Sequence, residues 1–498
     1  MQPTPEQQTA SDACMAGENI ILEAGAGTGK TTACQHIAEQ FTARGNGRGL
    51  YAAFSKATKD EARDRFPATT RCATSHGLAF AKFGKPLAHK LPGPNGRPAT
   101  KLSKKAAEYF GIQAVQLDPA GGGHGCWIQP ERLVWAAQNT IDRFCRSADP
   151  QLSARHIAKD MLPEDVNRAQ YNTAVLAAAG SLWDDLTSPS GMMRMPHDVY
   201  RKLWALSGPR LRFDWFMLDE AQDTAPVVAA VLLGQDMQKI AVGDSSQQLY
   251  RWAGAHDAMA NWPHARRLFL TQSWRFGPAI AEEANKWLAL LPTTLRLVGN
   301  PGLDSVLAEL DTECADAVLC RTNVGAIGVV LTGLAAGTKV ALVGGGREIE
   351  SLAWAGKKLM SGQRTTHPEL CVFDTWDEVR RAAAAEEADG TLRVFVSMME
   401  RFGPDAVIDA MRQLVPERMA QLVVSTGHKA KGRQWPKVMV AGDFAPKSVD
   451  GEEGAPPVVD SEAAMLSYVA VSRAEQTLDR GPLSYVDGFT GGLIDATA

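Results

Sequence analysis

The stretch Gly27-Thr28-Gly29-Lys30-Thr31-Thr32 combines what phosphate chemistry needs. Glycines let backbone N–H groups approach oxyanions, a lysine brings a point charge, and a hydroxyl follows it. The apolar run Asn19-Ile20-Ile21-Leu22 precedes it, and a helical pattern over Ala33 to Ala43 follows. That order of strand, glycine loop and helix predicts a phosphate cradle formed by Gly25, Ala26, Gly27, Thr28, Gly29, Lys30, Thr31 and Thr32. Lys30 is expected on the β and γ phosphates and Thr31 on Mg²⁺. The strict loop pattern is broken at one place, its first position, which is Ala24.

A second stretch, Phe216-Met217-Leu218-Asp219-Glu220, reads as an apolar strand ending in two carboxylates. Alone, such a pair is a surface feature. Beside the phosphate loop it signals nucleoside triphosphate hydrolysis, with Asp219 in the metal shell and Glu220 orienting and deprotonating the attacking water. Arg275, in LTQSWRFG, and Arg473, in YVAVSRA, are candidate charge stabilisers, a role worth on the order of 10³–10⁵ in rate. Read singly, each is more often an ordinary helix-surface arginine. GDSSQQLYRWAGA, residues 243–255, sets a small polar cluster beside two large aromatics, Tyr250 and Trp252.

These residues need strands that end in one place. Gly49 to Phe54 reads as the next strand and Lys56 to Phe66 as a helix. A Pro, Gly and Lys-rich shift from about Lys85 to Lys101 marks a boundary. Residues 101–205 read as mostly helical, broken by AGGGHG, before strand signals return at 215–218 and 239–242. A second α/β pattern begins near Leu268 and holds strands at 317–320, 340–343, 421–424 and 438–440, with a helical stretch over 351–414. SVDGEEGAPPVVDSE reads as a loop and GGLIDATA as a frayed tail.

A chain of 498 residues, 45% hydrophobic and 22% charged, predicts about three domains with packed cores. A net charge of -4 argues against coating nucleic acid by bulk charge. Yet residues 65–107 carry Arg65, Arg71, Lys82, Lys85, Lys90, Arg97, Lys101, Lys104 and Lys105 and no Asp or Glu. That block is a candidate polyanion surface, and charge alone weighs a solvated face equally. The 8 cysteines form no CxxC pair, so no zinc or iron–sulfur site is signalled. MQPTPEQQ lacks the features of a secretion signal, and no stretch reaches a membrane span. A soluble, cytoplasmic protein is expected, in a bacterial or phage-infected cell, with a eukaryotic nucleus left open.

Taken in order, TPEQQ, EAGAGTGKTT, AAFSKATKDEA, ATSHGLAF, LDEAQD, GDSSQQLYRWAGA, LTQSWRFG, CRTN, STGHKAKGRQW and YVAVSRA make a recognisable set. The chain resembles the UvrD/Rep-like superfamily 1 DNA helicases. In detail, including MPHDVYRKLW, it is most similar to the F-box DNA helicase branch, with no F-box read in the sequence. That family commonly opens its loop with AGAG, which accounts for Ala24.

The resemblance implies an α/β fold of two RecA-like P-loop domains with helical insertions and ATP in the cleft between them. Domain 1A is expected over 1–85 and 205–270, insertion 1B over 86–204, domain 2A over 271–350 and 415–498, and a reduced 2B-like insertion over 351–414. No appended nuclease is expected after YVAVSRA. It further implies that Gln7 reads the adenine edge and Trp274 stacks on adenine. Gln247 would contact γ-phosphate and the attacking water, with Arg275 and Arg473 as arginine sensors. Gly432 would line the site from 2A, with Gln434 near the ribose. Phe54, Lys56, Thr74, His76, Tyr250 and Trp252 would touch single strand from 1A, and Arg321, Thr426 and His428 from 2A. Spacing alone leaves Phe54 equally a core residue, and His76 and His428 open to internal bonding. Three positions depart from the family: Gln434 for Glu, Ala253 for Arg, and Met465 for a basic residue.

The expected activity is an ATP- and Mg²⁺-dependent DNA helicase and single-strand translocase, moving 3′ to 5′, on single-stranded and tailed duplex DNA. A monomer or weak oligomer is expected, with room for a loading partner or single-strand-binding protein and no membrane partner. The alternative is a DNA-stimulated ATPase that strips proteins from DNA or serves as a switch in a larger complex, with little unwinding. A P-loop small-molecule kinase would leave the Tyr250–Trp252 motif without a purpose. A binding module with a decayed ATP site conflicts with intact Lys30, Asp219, Glu220 and Arg473.

Overall fold

The computed structural model describes residues 2–45, 47–92, 103–119, 126–158, 167–249, 259–260, 262, 264–365, 367, 369–370, 373–384, 390–446 and 459–489. The expectations for Tyr250, Trp252 and Ala253, for Arg97 and Lys101, for most of the acidic loop and for the tail fall outside them.

Helix α1 (Pro5–Met15) opens with a capping box: Thr4 accepts the Gln7 N–H, and the Gln7 side chain accepts the Thr4 N–H. Then come β1 (Ile20–Ala24), α2 (Lys30–Ala43), β2 (Gly49–Ala52), α3 (Lys56–Arg65), β3 (Thr70–Ala73) and α4 (Ser75–Ala79). A largely helical insertion follows: α5 (Ser103–Phe110), a short antiparallel pair β4 (Val115–Leu117) and β5 (Cys126–Ile128), α6 (Pro130–Arg146), α7 (Arg168–Thr187) and α8 (His197–Leu206). The chain re-enters the sheet through β6 (Trp215–Leu218), α9 (Pro226–Leu233), β7 (Gln238–Gly243) and β8 (Arg266–Leu270).

These strands form a six-stranded parallel sheet in the order β3-β2-β6-β7-β1-β8. Its strands alternate between two cores, as a pleat buried on both faces requires. Ile20 and Leu22 pack with Ile37 and Phe41 of α2, while Ile21 packs with Phe216, Leu218 and Val227 on the other face. Leu268 pairs with Leu22 at the edge of this first sheet, so the strand read as opening the second α/β pattern belongs to the first. An apolar run fixes a strand but not which sheet accepts it.

The second unit contains α10 (Pro278–Ala289), β9 (Val306–Leu307), β10 (Ala317–Cys320), α11 (Asn323–Ala335), β11 (Val340–Leu342) and α12 (Arg347–Met360). It continues through α13 (Trp376–Ala384), α14 (Gly390–Phe402), α15 (Pro404–Gln413), β12 (Leu422–Thr426), α16 (Gly427–Ala430), β13 (Trp435–Val440), α17 (Ser461–Val471) and β14 (Ala474–Asp479). Its sheet is again six-stranded and parallel, in the order β11-β12-β10-β13-β14-β9. The fold is therefore α/β, with two RecA-like sheets flanked by helices. The helices over 347–413 bury Leu359, Val379, Phe395, Met399 and Val407 in the same core as Val318, Val340 and Val424. They form one flank of the second sheet. A second core spans the two units, because Ala26 and Leu249 pack with Phe276, Leu466 and Val469.

Candidate active site

Parallel sheets present their working loops at the carboxyl ends of the strands. Here β6, β7 and β1 are adjacent, so the loops after Leu218, Gly243 and Ala24 meet. In the phosphate loop, Gly27 has φ +74 and lies so close to Arg275 that a Cβ would stand 2.6 Å from the arginine Cβ. Only glycine fits there. Gly29, at φ +81, caps the N-terminus of α2. Thr28 is buried and turns its hydroxyl onto the Gly25 carbonyl at 2.8 Å. Thr31 and Thr32 are half-buried at the start of α2.

Lys30 donates to Glu220 at 2.7 Å. Burial alone would lower the Lys30 ammonium, but Glu220 and Asp219 reverse that and hold it above its ordinary value. Glu220 sits at φ 49, in the left-handed region that side chains rarely adopt. Burial would raise its carboxyl. The charges of Lys30 and Lys431 and a 2.6 Å bond from the Gln222 side chain pull it down instead. Asp219 is shifted the other way, upward, by burial and by the neighbouring Glu220 charge, while Tyr51 donates to it at 2.6 Å. The two carboxylates are thereby split: Glu220 holds its charge, and Asp219 gives up protons less readily.

The loop after β7 is held from three sides. Glu23, buried at the end of β1, accepts the Ser245 hydroxyl at 2.9 Å and pairs with Arg267 of β8. Gln222 accepts the Asp244 N–H at 3.1 Å, tying this loop to the acidic strand end. Asp244 accepts the Gln247 side-chain amide at 2.6 Å. Gln247 in turn accepts from Arg473 at 3.2 Å.

Arg473 is only 2% exposed. Burial and the charge of Arg275 push its guanidinium down to about 9. It stands just past the C-cap of α17 and folds back to donate to the Val469 carbonyl at 2.9 Å. That satisfies one of the carbonyls a helix end leaves open and sets a cation on the negative end of the dipole. Arg275 donates to the Ser472 carbonyl and to the Gln434 side chain, each at 2.8 Å. Gln434 also donates to Glu475 at 2.6 Å. In this conformation Gln434 is occupied by protein partners, and Gly432, at φ +79, has open space around it.

On the other side of the loop, Trp274 is 53% exposed while its backbone N–H donates to the Gly27 carbonyl at 2.9 Å. Its ring edge lies by Gly29, as does the Gln7 side-chain amide. Trp274 and Gln7 thus flank one spot beside the phosphate loop. Thr271 donates its N–H and hydroxyl to Glu6, which fixes α1 to this segment.

The candidate DNA residues divide. Phe54 is 53% exposed, so the core reading of it is set aside. Lys56 is exposed, and Thr74 caps α4 through the Gly77 N–H. His76 is bound internally, to Asp198 of α8 at 2.9 Å, and Arg201 closes on the same carboxylate oxygen. Thr426 is buried as the cap of α16. Burial and Arg321 lower His428. The backbone N–H of Arg321 is held by Asp443 at 2.8 Å, with Thr322 on the same carboxylate.

Several residues of the cleft carried no signal of their own in sequence: Tyr51, Gln222, Asp223, Asp244, Lys431 and Tyr468. Lys431, after α16, forms an ion pair with Asp223 and donates to the Gln247 carbonyl at 2.5 Å. Tyr468 bonds both Ala26 and Asp244. All but Tyr51, which stands just before AAFSKATKDEA, sit inside a quoted motif, but a partner lies up to 442 positions away.

Among the described residues, no cluster of three or more His, Cys, Asp or Glu side chains is arranged to hold a metal. The two residues expected to hold the metal, Asp219 and Thr31, both offer oxygens. That set fits Mg²⁺, which is held through one or two carboxylates while keeping waters and phosphate oxygens. No described helix is long and apolar enough to cross a membrane.

Residues 7–253 match the AAA domain family. The chain is 29% identical over 501 residues to F-box DNA helicase protein 1 of Schizosaccharomyces pombe, covering 93% of this chain and 55% of that protein. It is 27% identical over 508 residues to F-box DNA helicase 1 of Gallus gallus, covering 93% of this chain and 47% of that protein. The chain spans about half the length of the curated relatives it matches. Residues 7–253 are thus an AAA domain, and the chain is a distant homologue of F-box DNA helicases, within the UvrD-like superfamily 1 that its motifs resemble.

Proposed function

We propose that this chain is an ATP-driven motor on single-stranded DNA that separates strands, moving 3′ to 5′. The observation that carries the reading is the bond between Gln247 and Arg473. It joins the loop after β7 to the end of α17, so one side chain can answer both nucleotide and the opposite unit. In this reading 1A (1–85 and 205–270) and 2A (271–350 and 415–498) each carry one parallel sheet, and the helical insertion over 86–204 serves as 1B.

In this mechanism Trp274 and Gln7 take the base, and the amides of Gly25 to Thr32 take the phosphates. Lys30 exchanges Glu220 for phosphate oxygens, which frees that carboxylate to accept the proton of the attacking water. Asp219 and Thr31 would hold Mg²⁺, which supplies charge neutralisation at the phosphates. Gln247 orients the water, and Arg473 and Arg275 stabilise charge as it develops. Phe54, Lys56, Thr74, His76, Tyr250 and Trp252 grip the strand from one unit, with Arg321, Thr426 and His428 on the other. Closure and reopening of the cleft then become steps.

The packing of α12 to α15 on the second sheet favours the alternative as well. A flank built into one core supports translocation without a separate duplex-gripping body. Strand displacement on 3′-tailed and 5′-tailed duplexes tests the proposal, alongside ATPase rates without nucleic acid and with ssDNA, dsDNA and RNA. Displacement of the 3′-tailed duplex alone is expected. DNA-stimulated hydrolysis with no displacement would leave the translocase, and hydrolysis indifferent to DNA would end both.

A further inference from the structure

Tyr468 is a fully buried phenol at the contact between the two units. It belongs to the last turn of α17, and its hydroxyl has two partners on the first unit. It accepts the backbone N–H of Ala26, inside the phosphate loop, at 3.0 Å. It donates to Asp244 Oδ2 at 2.9 Å. The same oxygen accepts the Gln247 side-chain amide at 2.6 Å, and the other end of that amide accepts from Arg473 at 3.2 Å. The result is a closed ring. It runs from Tyr468 through Asp244 and Gln247 to Arg473, and back along α17.

We propose that Tyr468 is a positioning residue that couples the phosphate loop to Gln247. This rests on the reading of the cleft as a DNA-stimulated ATPase. A hydroxyl has one proton to give. While Tyr468 gives it to Asp244, its lone pair is open to the Ala26 amide, and the two bonds reinforce each other. Movement of the Ala26 amide toward a phosphate therefore weakens the hold on Asp244, and Asp244 is what sets the orientation of the Gln247 side chain. Phenylalanine fills the same space but cannot make this relay. The surrounding contacts of α17, with Ala26 and Leu249 in one apolar cluster, keep the position filled.

The test uses Tyr468→Phe, Asp244→Asn and the double variant of the full chain. Loss of one charge-assisted hydrogen bond predicts a fall of about tenfold in ssDNA-stimulated kcat for Tyr468→Phe, with KM for ATP shifted by less than about twofold. In the Asp244→Asn background, the same substitution is expected to cost less than about twofold, because the bond it removes is already weakened. A kcat equal to the parent, or full multiplication of the two losses, overturns the proposal. A residue that only supported the fold would lower the active fraction of enzyme without this pattern in the double variant. Hydrogen exchange over residues 23–29 gives a second reading that needs no turnover. Tyr468→Phe should speed the protected amides by about tenfold. Unchanged exchange overturns the coupling, even where ssDNA proves not to stimulate the parent and the functional reading itself fails.

Discussion

The pair of Asp223 and Lys431 offers a quantitative check on how the cleft is held. Their side chains are 1% and 10% exposed, and Asp223 Oδ1 is buried without a hydrogen bond. Burial raises the Asp223 carboxyl even against the pull of Lys431, so the loss of hydration outweighs the attraction of the ammonium. Removing one partner of such a pair costs about 3–5 kcal/mol, because a charge stays behind without compensation. Replacing both with apolar groups of similar size is often close to neutral. Lys431→Met alone is therefore expected to destabilise by about 3–5 kcal/mol, and Asp223→Leu by a smaller amount within reach of that, since Lys431 keeps the Gln247 carbonyl. The double variant should recover most of the loss, giving a coupling of at least about 2 kcal/mol in a double-mutant cycle. The assay is urea unfolding followed by tryptophan fluorescence, run beside ssDNA-stimulated ATPase. Turnover should not recover with stability, because the double variant still lacks the bond to Gln247 and the cation beside Glu220. Additive stability losses would refute the pairing. Recovery of both quantities would remove Lys431 from the positioning of Gln247.

Three further outcomes are expected. Lys30→Ala should reduce ATP hydrolysis at least about 10³-fold while ssDNA binding, read by fluorescence anisotropy, is retained; ordinary turnover would displace the phosphate-loop assignment. Trp274→Ala should raise KM for ATP by at least about fivefold, the lower end of the stacking range, with the kcat change small. Asp198 is held down to about 2: burial opposes this, but the hydrogen bond from His76 and the Arg201 charge outweigh it. Its folded value lies below the ordinary 3.8, so its stabilisation is complete above about pH 4 and is lost as pH falls through 2. Asp198→Asn should then cost about 2 kcal/mol at pH 7 and flatten the stability profile between pH 5 and 2, as measured by urea midpoints.

Much of the cleft was legible because its chemistry is local. A glycine loop between a strand and a helix, and two carboxylates at a strand end, carry their meaning within a few residues. Arg275 and Arg473 could be named as candidate charge stabilisers from their motifs, while Gln247 was legible only through resemblance, as a member of an ordered set. What was not legible depended on which surface each element meets. Tyr468 looks like one more apolar residue of a helix buried all round, and only the fold brings it to Ala26. Asp223 reads as a spare acid until Lys431 faces it. The apolar run at Leu268 predicts a strand but not its partner, β1. The periodicity of 351–414 predicts helices but not the sheet face they cover. The three-residue strands β4 and β5 are too short for an alternation to stand out.

In the proposed mechanism Arg473 would have a double duty, tying catalysis to helix ending. The guanidinium that would meet an anion is also the group that closes the final turn of α17 through the Val469 carbonyl. An anion that draws the cation away must therefore loosen that turn, and by reciprocity anything that tightens the turn weakens the hold on the anion. Tyr468 lies in the same turn. Winding and unwinding of a few residues at one helix end would then be felt at both the phosphate loop and Gln247, with no need for either unit to move as a whole.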